Sequence, residues 1–339
     1  MTGRPLRAAI VGTGGISRQH HAGYVAAGVP VVALADPDPV ARARRAEEWG
    51  VTRTFATHAE LLAEPDIDCI SVSAPNAVHA AVTIAAAASG RHVLCEKPIS
   101  LSPAEGERMI AACADAGVVL QVNHHLRANP AVARARAMLD AGPRGRITFL
   151  RFRQAHDWGG ASEVGPTFRT RALAGGGTLL DNGCHLFDLA RHLGGDVTHA
   201  WAQGATLGFA AEVEDTATAS LRFASGALGH VETQWTATGW EMSFAVYGTR
   251  GALEYSDRSG RPILRHLHRA PGNDSWGDVS EQTWSDPAGS DHTRAVAAFI
   301  AAVRGERPAL CTGEDGLAAV AIALACYRSF ASGALEPVG

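Results

Sequence analysis

Three groups of residues in this 339-residue chain have types and spacings suited to chemistry. The first is a single cation. Of the 30 basic residues 29 are arginine, and Lys97 is the only lysine. Where arginine is the default, that exception marks a position that a planar, permanently charged guanidinium cannot fill and a compact, pKa-adjustable ammonium can. The second group is Asp181 and His185, four residues apart and so one turn apart on one face of a helix expected over 178–193. Such a polar stripe, continued by Asp188 and His192, is ordinarily a solvated helix face. Here Gly175, Gly176 and Gly177 precede it and bring backbone close to something, which favours a proton-transfer pair instead. The third group is Gly12-Thr13-Gly14-Gly15-Ile16-Ser17, with Asp36 nineteen residues after Ser17. Its glycines permit a tight turn, a following helix N-terminus offers N–H groups to a pyrophosphate, and the acid can accept both hydroxyls of a ribose.

Particular elements must hold these residues. Up to residue 123, apolar runs at 6–11, 31–35, 67–73, 92–95 and 118–122 alternate with helical patterns at 16–27, 39–49, 77–89 and 103–116. Continuous apolar strands followed by glycine-capped helices predict a parallel sheet covered on both faces. The glycine turn then joins the first strand to the first helix, Asp36 ends the second strand, and Lys97 follows the strand at 92–95. This predicts an α/β protein whose N-terminal Rossmann dinucleotide-binding domain spans 1–123, with Gly12, Thr13, Gly14, Gly15, Ile16 and Asp36 on the nucleotide. Asp36 would repel a 2′-phosphate, so NAD is expected in preference to NADP; Arg42 is near enough in sequence to soften this.

From 124 to 339 the pattern changes. A helix is expected over 131–139, and runs at 147–154, 197–206, 215–223, 229–235, 242–247 and 251–255 alternate with period two. They predict a C-terminal α/β domain with a large, mainly antiparallel open sheet, one face polar or used for assembly. Segment 257–289 reads as loops with short strands, and helices at 291–303 and 313–330 follow.

Composition excludes several classes. A net charge of −4 does not attract nucleic acid or anionic membrane. No apolar run reaches the roughly 18 residues of a membrane span, and the N-terminus lacks a leader pattern, so a cytoplasmic protein is expected. Six scattered cysteines without a CxxC pair read as buried free thiols. No metal is expected: His124 and His125, even with Asp181 and His185, form no ligand motif. His20 and His21 on the first helix read as structural.

Further segments carry a resemblance. They are Ala74-Pro75-Asn76-Ala77-Val78-His79 with Gly90-Arg91-His92-Val93-Leu94-Cys95-Glu96-Lys97-Pro98, then Val122-Asn123-His124-His125-Leu126-Arg127, then the stretch from Gly175 through Asp181, Asn182 and His185 to Asp188. With the glycine turn they make the chain similar to the glucose–fructose oxidoreductase and inositol dehydrogenase (Gfo/Idh/MocA) family over nearly its whole length. Phe168-Arg169, where many members have Trp-Arg, and Asn182 are departures. The resemblance implies a catalytic Lys97 followed by a cis peptide at Pro98, and a catalytic Asp181/His185 pair. It also implies Pro75, Asn76, His79, Glu96, Lys97 and Asn123 at the nicotinamide end, and an open sheet that supports a homodimer or homotetramer. Substrate contacts are expected from His124, Arg127, Trp158, Arg169, Asp181 and His185, with Arg171 near the pocket.

Hydride transfer from a secondary alcohol needs a base for the hydroxyl proton and a donor for the developing alkoxide. Lys97 suits the donor role. Near a helix N-terminus the dipole favours ionised Asp181 and a neutral His185 imidazole, the form a base needs. The reading is an NAD(H)-dependent oxidoreductase of a small carbohydrate, a polyol or a related polyhydroxy compound. Two alternatives stay open: an enzyme that keeps its NAD bound and uses transient oxidation for elimination or epimerisation, and a non-catalytic nucleotide sensor.

Overall fold

Strand β1 (Ala8–Val11) is apolar and buried along its whole length, which only a sheet covered on both faces accommodates. The computed structural model describes residues 4–142, 145–157, 166–258, 260, 262–269, 279–285 and 289–339. After β1 come α1 (Ser17–Ala26), β2 (Val31–Ala35), α2 (Pro39–Trp49), β3 (Arg53–Phe55), α3 (His58–Leu62), β4 (Cys69–Val72), α4 (His79–Ala88), β5 (His92–Cys95), α5 (Pro103–Asp115) and β6 (Leu120–Val122). All pair in parallel in the order β3-β2-β1-β4-β5-β6, a doubly wound Rossmann sheet whose strand order reverses between β1 and β4. Asp38 and Ser102 cap α2 and α5, each followed by a proline at the first helical position, where a missing N–H costs nothing. The pair β3 and α3 has no counterpart in the sequence reading. Three residues are too few to show a period, although Thr57 and Glu60 form a complete capping box.

The following elements are α6 (Pro130–Asp140), β7 (Ile147–Asp157), α7 (Pro166–Arg169), α8 (Arg171–Ala174), α9 (Thr178–Gly194), β8 (Val197–Ala205), β9 (Thr216–Phe223), β10 (Leu228–Gln234), β11 (Thr236–Gly248), β12 (Gly251–Ser256), β13 (Ile263–Arg269) and β14 (Val279–Ser285). With β15 (Glu336–Pro337) the strands form a nine-stranded sheet, β14-β13-β12-β11-β7-β10-β9-β8-β15. It is antiparallel except between β7 and β10. Phe152, Val231 and Phe244 lie in register on three neighbouring strands and are buried on the face that α9 packs against. Segment 257–289 thus holds two seven-residue strands rather than short ones. In β13 the inward positions are Leu264 and His266, and an inward histidine hides the alternation.

Helices α10 (Asp291–Val303) and α11 (Gly313–Ser332) lie between β14 and β15. Two compact units result, Met1–Ala128 with Gly289–Leu317, and Asn129–Ala288 with Ala318–Gly339. The expected single division at 123/124 differs from this in residues 124–128 and 289–317. The cause is α10, which buries Val296, Phe299 and Ile300 in one core with Ile10, Tyr24 and Leu34. All six cysteines are buried thiols outside any disulfide. Among the described residues no helix is long and apolar enough to cross a membrane.

Candidate active site

In the first unit, the turn after β1 is shaped by Gly12. Its φ is +93°, and a Cβ there would lie 2.5 Å from the Ser73 carbonyl group. Only glycine permits this crossing of β1 and β4 at the reversal of strand order. Gly14 and Gly15 differ: among the described residues a Cβ on either meets nothing within 4 Å. Their small size serves space outside the protein. Among the described residues no side chain caps α1 and no acid sits in its first turn; Arg18 and Gln19 N–H donate to the Gly15 and Ile16 carbonyl oxygens, and the positive dipole end faces the glycine turn, where an anion is favoured. Asp36 is pinned beside this cradle. Its Oδ2 accepts from the Thr13 N–H at 2.6 Å and the Thr13 hydroxyl at 2.9 Å, and its Oδ1 accepts from the Asp38 N–H at 2.9 Å. A carboxylate has about four acceptor positions, and these three contacts leave capacity for a ribose hydroxyl. Arg42 is turned to the Asp36 carbonyl oxygen instead of its carboxylate. An open glycine cradle, an uncapped helix end and a fixed acid together fit a dinucleotide.

Lys97 follows β5, and the Lys97–Pro98 peptide is cis as expected. A buried polar chain holds its neighbours. The hydroxyls of Tyr24 and Ser71 are 2.9 Å apart, Ser71 Oγ is 2.9 Å from His20 Nδ1, and His20 Nε2 is 2.8 Å from Glu96 Oε1. Asn123 donates to the same Glu96 oxygen at 2.6 Å, and Lys97 N–H donates to Glu96 Oε2 at 3.2 Å. Burial opposes the Glu96 charge, but the hydrogen bond and charge of His20, with His292 and Lys97, prevail and hold this carboxyl well below the usual range. His79 is fully buried, its ring nitrogens 2.8 Å from the Pro98 and 2.9 Å from the Ala74 carbonyl oxygens. Glu96, Asn123 and His79 therefore brace the turns around Lys97, whereas Pro75 and Asn76 stay more accessible. His20 joins the expected residues here; its position on α1 gave no sign of it.

Arg127 departs from the expected substrate contact. It is buried and donates to Asp315 at 2.9 Å and to the Leu310 carbonyl at 3.3 Å, an internal tie of the first unit, because a buried guanidinium requires a counter-charge. His124 is also buried, and His125 stacks on His292 with ring centroids 3.6 Å apart.

In the second unit, Asp181 and His185 occupy the first two turns of α9. The stripe is not a solvated face: His185 is 2% exposed and Asp188 fully buried. Asp181 Oδ2 accepts from the indole N–H of buried Trp235 at 3.1 Å, a partner the sequence reading missed. The triple glycine has a specific cause. A Cβ on Gly176 would overlap the Tyr327 hydroxyl, and one on Gly177 the Glu214 carbonyl oxygen. Arg169 lies on the four-residue α7, and Arg171 is exposed and donates to Glu212. Trp158 lies outside the described residues.

The first unit thus offers a dinucleotide cradle and a lysine, and the second a carboxylate–imidazole pair. Such a set defines a Rossmann-type oxidoreductase. Residues 6–124 match the oxidoreductase family with an NAD-binding Rossmann fold, and residues 132–254 match the GFO/IDH/MocA C-terminal domain. The chain is 33% identical over 332 residues to the 1,5-anhydro-D-fructose reductase of Ensifer adhaerens, covering 96% of each protein. It is 28% identical to the myo-inositol 2-dehydrogenase of Thermotoga maritima, over 84% of this chain and 83% of that one. Levoglucosan dehydrogenase in complex with NADH and levoglucosan superposes with a TM-score of 0.89 at 25% identity, over 99% of this chain and all of that one. The chain belongs to the Gfo/Idh/MocA family of oxidoreductases.

Proposed function

We propose that this chain transfers hydride between NAD(H) and a secondary alcohol or ketone of a sugar, a polyol or a related polyhydroxy compound. The observation that carries the reading is the pair on α9, a half-buried Asp181 and a buried His185, in a chain whose lone lysine follows β5. When bound, the nicotinamide accepts or supplies the hydride. His185 takes the proton from the reacting hydroxyl, and Asp181, oriented by Trp235, anchors the substrate and favours the imidazolium that results. The Lys97 ammonium donates to the oxygen as it becomes an alkoxide.

The pyrophosphate and the adenosine ribose are assigned to Gly12, Thr13, Gly14, Gly15, Ile16 and Asp36, with the ribose at Asp36. NAD is preferred to NADP because a 2′-phosphate would meet the fixed Asp36 carboxylate while Arg42 is engaged elsewhere. Pro75 and Asn76 belong to the nicotinamide end, and His124 and Arg169 to the substrate side. We further infer a cytoplasmic homo-oligomer formed through the open sheet. Leu228, Phe149 and Tyr247 lie in register across β10, β7 and β11, and the first two are 52% and 37% exposed. The test is a panel of polyols, anhydrosugars and keto-sugars assayed with NAD(H) and NADP(H). Net NADH formation from a polyhydroxy substrate, at higher efficiency than NADPH, is the expected result. No turnover across the panel overturns the assignment, and tightly retained NAD without net NADH points to transient oxidation.

A further inference from the structure

Helix α9 begins on a single side chain. Glu214, 7% exposed, precedes β9 and lies 37 residues from Gly177 in the chain. Its carboxylate accepts from the Leu179 N–H at 3.0 Å through Oε1 and from the Gly177 N–H at 3.2 Å through Oε2. Its own carbonyl oxygen accepts from the Thr178 N–H at 2.9 Å. One residue therefore satisfies three consecutive backbone donors at the start of α9, a cap supplied from the segment before a distant strand rather than from the helix's own N-cap, which here is glycine. Tyr327 locks the arrangement. Its hydroxyl donates to Glu214 Oε1 at 2.8 Å and accepts from the Gly177 N–H at 3.2 Å. The absence of side chains on Gly176 and Gly177 allows both groups to come this close. The next donors along the helix, Leu180 and Asp181 N–H, already return to the Gly177 carbonyl oxygen at 3.1 and 2.9 Å.

Two consequences follow for Asp181 and His185. The dipole end of α9 is occupied by a carboxylate of the protein itself, so the helix is a fixed mount and not an anion site. The rotation and height of the first turn, and with it where the Asp181 side chain meets Trp235, are set by where Glu214 and Tyr327 sit. We propose that Glu214 and Tyr327 are positioning residues of the Asp181/His185 pair: their hydrogen-bonded cap fixes the first turn of α9 in the orientation that turnover requires. The inference rests on the proposed roles of Asp181 and His185 and adds to them two residues that touch neither substrate nor cofactor.

The test uses Glu214→Gln and Tyr327→Phe in the full-length chain. Each keeps the packing volume, and each removes one part of the cap. Active sites are counted by NADH titration, so that lost folded protein is separated from lost function. Per NADH-binding site, Glu214→Gln should lower kcat about tenfold or more, given that a misplacement near 1 Å can cost about 10²-fold. Tyr327→Phe should lower it less, and NADH affinity should stay unchanged in both. A second readout does not depend on knowing the substrate. The indole ¹⁵N–H resonance of Trp235, identified by its disappearance in Trp235→Phe, should shift in both variants because its acceptor Asp181 has moved. A kcat per site within twofold of the native value, with an unmoved Trp235 resonance, overturns the proposal and leaves Glu214 a cap for stability alone. If the native protein turns over no member of the panel, the functional reading fails, and the Trp235 resonance alone decides whether the cap positions Asp181.

Discussion

In the first unit the proposed cofactor cradle is made of backbone: the Gly12 turn, the open Gly14 and Gly15, and the uncapped start of α1, all within a few residues of one another. In the second unit the proposed reactive pair is made of side chains on α9, and their mount comes from far along the chain, from Glu214, Trp235 and Tyr327. A pyrophosphate can be bound by any chain that presents N–H groups at a helix end, so a short motif suffices. A general base must be aimed at one proton within about 2.6–3.2 Å, and that precision needs supports from several directions. The contrast teaches that substitutions in the first region should act mainly on cofactor affinity, and those in the second on turnover.

The sharpest separation is expected at His185. His185→Ala should lower kcat by about 10²–10⁴-fold, the contribution of a general base, while NADH titration by fluorescence gives a nearly unchanged dissociation constant. Loss of NADH affinity together with turnover would erase the contrast.

Lys97 is the case that would blur it, because the proposed role makes it a reactive side chain in the unit that otherwise works through backbone. Lys97→Ala should cost about 3–4 kcal/mol in kcat/KM, and Lys97→Arg should recover little of it, since a planar fork does not fill a point-charge site. Near-normal turnover of Lys97→Arg would show that positive charge is all the position requires.

A pH titration tests the buried side of the first unit. Burial pushes His292 down to about 4 and its stacking partner His125 well below its ordinary value. In the unfolded chain both take up protons near 6.5, whereas folded His292 stays neutral until about 4, so the unfolded state binds more protons between these limits. The stability these groups contribute is present above pH 6.5 and is lost as the pH falls toward 4, by up to about 3 kcal/mol for His292. Denaturant unfolding at pH 7.5 and 5 should show the loss, and His292→Gln should reduce it. Glu96 acts in the same direction, but only below the ordinary carboxylate range.

The smallest effect compares two glycines. Gly177→Ala forces a Cβ onto the Glu214 carbonyl oxygen and should cost about 1–3 kcal/mol of stability without any ligand present. Gly14→Ala meets only open space in the protein, and should leave Tm unchanged while weakening NADH binding. A fall in Tm for Gly14→Ala would mean that the cradle, too, is held by packing.

Much of this protein is settled by local sequence. Apolar runs without alternation become doubly covered parallel strands, and Asp38-Pro39 and Ser102-Pro103 start helices where a cap followed by a fixed φ favours one. Gly12 and Asp36 stand at a spacing that a β-α-β unit sets by itself, and Asp181 and His185 share a face because helix geometry places residues four apart there. Tertiary structure decides the rest, through contacts between residues far apart in sequence. Arg127 becomes an internal tie because Asp315 arrives beside it, His20 joins Glu96 because the fold brings α1 beside Ser71 and Glu96, and α10 returns to the first unit because its apolar face completes that core. The triple glycine announced a close approach but not its partner. That Glu214 and Tyr327 fill the space depends on how β9 and α11 fold back on α9, which no period or motif near residue 177 encodes.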